Sequence, residues 1–319
     1  MKKPLIVLAG PTAVGKTSLS IRLAKEVGGE IVSADSMQVY RGMDIGSAKI
    51  TQEEMEGVPH HLIDVLEPTE EFNVVLFQKL AKEALQGIYR RGKIPILTGG
   101  TGFYIQALLY DIDFTETGGD AAYRKQLEDI AFLEGAAKLH EMLCAVDEAS
   151  AREIHPNNVK RVIRALEYFH ETGEPISAHN ERERGKESAY LSALFVLNLP
   201  RPLLYERIEK RVDAMLSDGL VDEVRALKEK GMNRHMVSVQ GLGYKEILSY
   251  LDGECSLEEA VYILKRDTRH FAKRQLTWFK REREVIWVNK EQFDYEEDRI
   301  LEYLKDILLE KGILEGRKR

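Results

Sequence analysis

Along the chain, apolar positions first gather in an unbroken run at residues 5–9 (LIVLA), set between charged Lys2-Lys3 and Gly10, which is the pattern of a strand buried on both faces. Leu19, Leu23 and Val27 then return at helical spacing across residues 16–27, so the opening reads strand, glycine loop, helix. A second strand at 30–34 runs into Asp35, and a third at 94–98 runs into Gly99-Gly100-Thr101-Gly102. Strands that alternate with helices and end in polar or glycine residues predict an α/β parallel sheet with its site along that edge. From about 115 to 188 the pattern is helical only, beginning after a Gly118-Gly119 break, and predicts an inserted helical domain. Its clearest helix follows Pro156, with Asn157 as the cap, Val159, Val162, Ile163, Leu166 and Phe169 on one face, and Gly173 and Pro175 as the stop. Apolar residues at 191–199 restore the α/β pattern, followed by a helix at 203–216. A last helix begins at Ser256, with Glu259 completing a capping box, and is expected to run to about Glu284. The expected division is therefore a core of residues 1–114 and 189–319 interrupted by an insertion at 115–188.

Composition narrows the class. At 44% hydrophobic and 31% charged, the chain can bury a sizeable core and lies far from disorder. The five apolar residues at 5–9 are too few for a signal peptide, and no run approaches a membrane span, so neither export nor membrane association is expected. Cys144 and Cys255, single and distant, exclude a disulfide framework or a cysteine-built zinc site and fit a reducing cytoplasm. A net charge of −7 argues against nucleic acid until its distribution is read. Residues 265–283 (KRDTRHFAKRQLTWFKRER) hold eight Lys or Arg against Asp267 and Glu282, a local charge of +6 on an otherwise acidic chain. The interleaved Phe271, Trp278 and Phe279 are spaced to face the core rather than to stack on bases.

Residues 10–17 read GPTAVGKT, a full match to GxxxxGK[ST] placed between a strand and a helix. The backbone N–H groups of Gly10, Pro11, Thr12, Ala13, Val14, Gly15, Lys16 and Thr17, proline excepted, can cradle phosphate oxygens, with Lys16 adding charge and the Thr17 hydroxyl a place for Mg²⁺. The motif leaves open whether the phosphates belong to a nucleotide or to another diphosphate. Asp35, across the sheet edge, is placed to act as a metal ligand through water, as a general base, or as a turn cap. The string Asn289-Lys290-Glu291-Gln292 lacks the aspartate of a guanine-specificity motif, which weighs against a switch GTPase. His60 and His61, being adjacent, would point in different directions on a strand, so a packing role is expected of them rather than a metal site.

Eight blocks in order, GPTAVGKT, DSMQVYRGMDIGSAK, VPHHLID, GGTGFY, HPNNVKRVIRALE with TGEPIS, RIEKRVDAML, GLGYKE and TRHFAKRQLTWFKRE, cover nearly the whole chain. In these it resembles the bacterial tRNA dimethylallyltransferases, or tRNA isopentenyltransferases. The resemblance implies a P-loop core flanked by helices with an inserted all-helical domain, Mg²⁺ as cofactor, and transfer of a dimethylallyl group from its diphosphate to N6 of the adenosine 3′-adjacent to the anticodon. It also implies that the loop holds a prenyl diphosphate rather than ATP, and that Asp35 accepts the proton. Either Arg207 or Arg211 is expected on the diphosphate. Contacts to the tRNA anticodon stem-loop are expected from Asp35, Ser36, Met37, Gln38 and Thr101, from Arg124, Lys160, Arg161, Val162, Ile163 and Arg164 in the insertion, and from Lys265, Arg269, Lys273 and Arg274 on the basic helix. A monomer is expected. Three alternatives stand beside this reading: a P-loop kinase of a small metabolite, a prenyltransferase acting on free adenine nucleotides, and an RNA-binding protein whose loop is a nucleotide switch.

Overall fold

The computed structural model describes residues 2–114 and 120–315; the Gly118-Gly119 break lies outside them. In chain order the elements are β1 (Pro4–Ala9), α1 (Lys16–Val27), β2 (Gly29–Ser33), β3 (His60–His61), α2 (Val74–Arg90), β4 (Ile94–Gly99) and α3 (Gly102–Leu109). There follow α4 (Ala121–Leu133), α5 (Ala136–Val146), α6 (Glu148–Glu153), α7 (Val159–Thr172) and α8 (Ile176–Gly185). The chain continues through β5 (Leu191–Asn198), α9 (Arg201–Ser217), α10 (Leu220–Glu229), α11 (Tyr244–Leu251), α12 (Leu257–Phe279), β6 (Val285–Asn289) and α13 (Glu297–Glu310). The described residues form two compact units, one from 2–111 and 188–315, the other from 112–114 and 120–187.

The first unit is a six-stranded parallel sheet in the order β3-β2-β4-β1-β5-β6. Its strands alternate strictly. Leu5, Val7, Val32, Leu97, Leu194 and Val196 enter one core with α2, α3, α10 and α11, while Ile6, Leu8, Ile31, Ile96, Phe195 and Leu197 enter another with α1 and α13. Covering both faces is what permits near-continuous apolar strands. Helix α12 supplies Leu264 and Phe279 to the first core and Ala272 to the second. Its start is as expected, with the Ser256 hydroxyl accepting from the Glu259 N–H and the Glu259 carboxylate accepting from the Ser256 N–H. Its end is not. The helix stops at Phe279 rather than Glu284, because the chain must turn, with Glu284 at φ +54°, into the edge strand β6.

The second unit packs Leu127, Leu139, Leu143, Val162, Ile163 and Leu166 into its own core. The residue before the first turn of helix α7 is Asn158 rather than Asn157, without a side-chain capping bond, and Gly173 ends the helix in the left-handed conformation. Val162 and Ile163 are buried within this core, which places them under the helix and not on the face where Lys160, Arg161 and Arg164 are exposed. Arg124 makes a two-pronged pair with the buried Glu167, Nε to Oε1 at 2.7 Å and Nη2 to Oε2 at 2.8 Å, tying α4 to α7.

Candidate active site

The loop leaving β1 needs backbone conformations and spacing that side chains would forbid. At Gly10, φ +150°, a Cβ would lie 2.8 Å from the Leu197 carbonyl oxygen, and Gly15 has φ +91°. Lys16 folds back so that its ammonium donates to the carbonyls of Gly10 (3.0 Å) and Pro11 (2.8 Å). Thr17 stands exposed at the first turn of α1. From α9, Arg207 and Arg211 line the same opening as Gly15, Lys16 and Thr17, and Arg211 Nη1 reaches the Thr12 hydroxyl at 3.4 Å. Of the two arginines, Arg211 also lines the deeper cavity.

Two half-buried cations therefore stand side by side. Burial, and then the Arg211 charge, pull the Lys16 ammonium down to about 8, with Asp35 opposing them. Burial likewise lowers the Arg211 guanidinium, which Asp35 and Glu54 draw back up. Such a pair, with the loop amides beside it, has the charge and the donors to hold an anion.

Asp35 lies across the cavity from this pair. Its Oδ1 accepts from the backbone N–H of Met37 (2.8 Å) and less closely from that of Gln38 (3.4 Å), so the carboxylate does cap a turn. That turn fixes its position and leaves Oδ2 without a hydrogen-bond partner among the described residues. Thr12, Lys16, Thr17, Asp35, Gln38 and Arg211 are among the polar residues that line the cavity. Ile31, Ile50, Ile63 and His60 line it as well.

Several residues that build the site gave no local signal. Gln275, buried on α12, accepts from the Thr12 N–H at 2.9 Å and donates to the Gly100 carbonyl at 3.0 Å, joining the phosphate loop to the GGTG turn. A Cβ on Gly100 would overlap its amide. Glu223 accepts from the N–H groups of Asp44, Ile45 and Gly46 and from the Tyr244 hydroxyl, clamping the segment that carries Ser47 and Ile50 to the cavity wall. Lys290, buried, brings its ammonium beside Gly15 and 3.6 Å from Glu297.

On the basic helix the charges divide. Lys265 pairs with Asp213 at 2.6 Å and Arg269 with Glu209 at 2.7 Å, whereas Lys273 and Arg274 are exposed without a carboxylate partner among the described residues. Phe279 is buried as expected, but Phe271 lines the cavity, and Trp278 is exposed on its outer side against Phe103. Thr101 begins α3 at the sheet edge, where its N–H reaches the Ala34 carbonyl at 3.4 Å. His61 and His60 do point apart: His61 Nε2 pairs with Glu30 at 2.8 Å on one face, and His60 enters the cavity on the other. No group of three or more His, Cys, Asp or Glu side chains suited to a metal occurs among the described residues, and no helix there is long and apolar enough to cross a membrane.

The chain is similar to known proteins over almost its full length. It is 64% identical to a tRNA dimethylallyltransferase of Lachnoclostridium phytofermentans, over 98% of this chain and 99% of that one. It is 50% identical to one of Geobacillus thermodenitrificans, over 95% and 97%. Among solved structures, the tRNA isopentenylpyrophosphate transferase of Bacillus halodurans superposes with a TM-score of 0.73 at 45% identity, covering 98% of each chain. A eukaryotic dimethylallyltransferase acting on tRNA superposes with a TM-score of 0.82 at 31% identity, over 96% of this chain and 79% of that one. The model of the IPP transferase family matches residues 38–282. By that match and by its identity to these relatives over nearly its whole length, the chain belongs to the IPP transferase family.

Proposed function

We propose that the chain transfers the dimethylallyl group of dimethylallyl diphosphate to N6 of the adenosine 3′-adjacent to the anticodon in tRNA, releasing diphosphate. The observation that carries this reading is the single cavity in which Lys16 and Arg211 face Asp35 beside an apolar wall. The diphosphate would lie on the loop amides, with Lys16, Arg211 and, at the opening, Arg207. As the allylic C–O bond breaks, its electrons stay with the diphosphate, and cations already in place stabilise that charge without reorganising. The N6 lone pair forms the new N–C bond, and the proton N6 loses passes to Asp35 Oδ2, which the turn at Met37 and Gln38 holds in position.

The donor chemistry fits Mg²⁺. The Thr17 hydroxyl would hold it together with diphosphate and water oxygens, an all-oxygen set with few protein ligands. When bound, the ion would neutralise charge on the leaving diphosphate.

The target base must leave the anticodon-loop stack to enter the cavity, and RNA of that kind is read by splayed bases and phosphate contacts. Thr101, the 35–38 turn and the exposed Lys273 and Arg274 are the core domain's candidates for RNA contacts. In the insertion, Lys160, Arg161 and Arg164 are the candidates for the stem, with Arg124 engaged by Glu167. Inhibition kinetics test the reading: pyrophosphate should compete with the prenyl donor, and ATP should not be consumed. Stoichiometric ATP consumption would restore the kinase alternative.

A further inference from the structure

The cavity has a direction. Along β2, side chains two residues apart share a face, so Ile31, Ser33 and, past the strand end, Asp35 form one row, and all three line the cavity. Asp35 stands at the sheet edge and Ile31 four residues deeper. His60 pairs in register with Ile31 across the parallel β2 and β3, so its imidazole stands beside Ile31 at that deep end, with Ile50 and Ile63. The polar side chains on the way down are already engaged: Ser20 donates to the Thr17 carbonyl and Ser47 to the Met43 carbonyl. The deep end is thus a short apolar chamber whose end wall is one imidazole.

His60 is held in place. A carbonyl can only accept, so Nδ1 carries the proton of the 2.8 Å bond to Val58 O, which fixes the ring and its tautomer. Burial favours its neutral form. From Ser33 to Ile31 the strand advances about 7 Å, which suits one isoprene unit.

We propose that His60 is the end wall of the prenyl-tail subsite and the residue that limits the donor to one isoprene unit. This rests on the function proposed above. The ring is half-buried, so truncating it should open a way out for a longer tail.

The test compares dimethylallyl and geranyl diphosphate, both as donors to unmodified tRNA and by direct binding without tRNA, in wild type, His60→Ala, His60→Leu and His60→Trp. Wild type should prefer the five-carbon donor. His60→Ala should reduce that preference at least tenfold in kcat/KM and in the ratio of dissociation constants, in the range that methylene-scale changes in an apolar pocket produce. His60→Leu, of similar size, should retain it. His60→Trp should overfill the chamber, weakening dimethylallyl diphosphate binding at least tenfold with pyrophosphate affinity unchanged, which a merely structural role would not do. Should His60→Ala fold poorly, the His60→Trp binding ratio decides. An unchanged donor ratio in folded His60→Ala, or unchanged donor binding in His60→Trp, overturns the inference. Failure of wild type to prenylate tRNA at all would instead overturn the functional reading.

Discussion

Lys16 offers a quantitative handle on the site, because its ammonium is pulled down to about 8 in the ligand-free protein by burial and by Arg211. An anion on the loop must outweigh both effects by its charge, so binding should take up a proton wherever free Lys16 has lost one. The sign follows: affinity for pyrophosphate is full below that value and falls as pH rises through it. At pH 7 roughly 90% of Lys16 is charged and at pH 9 roughly 10%, which weakens binding about tenfold, or about 1.4 kcal/mol. Titration of pyrophosphate itself must be removed, and Lys16→Arg does so, since a guanidinium stays charged throughout. Calorimetry at both pH values should therefore give a pH 9 to pH 7 ratio of dissociation constants about tenfold larger in wild type than in Lys16→Arg. Arg211→Met should weaken binding at both pH values and bring the two ratios closer, because it removes the repelling charge. Identical ratios in wild type and Lys16→Arg would show that Lys16 is charged throughout and refute the reasoning.

Asp35→Asn should lower the single-turnover transfer rate about 10² to 10⁴-fold with tRNA affinity changed by less than tenfold, and rescue by raised Mg²⁺ would instead mark Asp35 as a metal-positioning residue. Lys273→Glu should lower the salt slope of tRNA binding by at least about 0.7 to 0.9, whereas Lys265→Glu, which loses the Asp213 pair, should cost thermal stability as well; equal effects in both assays would mean the pairing does not matter. Arg124→Ala removes the partner of the buried Glu167 carboxylate from a pair that is half exposed on the arginine side, so calorimetry should register a loss of about 1 to 3 kcal/mol in the helical insertion.

What could be read beforehand was what is contiguous. The phosphate loop, the Ser256–Glu259 capping box and the first helix are each written within a few residues, and local chemistry decides them. Strand β3 was hidden because it is only two residues long, and β6 because it follows a charged turn directly from a long helix. The run 160–164 looked uniform as a string, yet the helical period turns Val162 and Ile163 into the core and leaves the basic residues outside. Gln275, Glu223 and Lys290 act on segments far away in sequence, and no spacing rule finds such partners. Trp278 was expected in the core with Phe279; they are neighbours on a helix and so face different ways, one outward against Phe103 and one inward.

The central claim, prenyl transfer to RNA from a diphosphate held on the loop, is tested most directly by following the prenyl group. The protein would be incubated with Mg²⁺, labelled dimethylallyl diphosphate and unmodified tRNA, and the RNA digested to nucleosides. Label should appear in N6-prenylated adenosine from the position 3′ to the anticodon, in an amount equal to the diphosphate released. Diphosphate release with no label in the RNA, or label on free adenine nucleotides alone, would contradict the account.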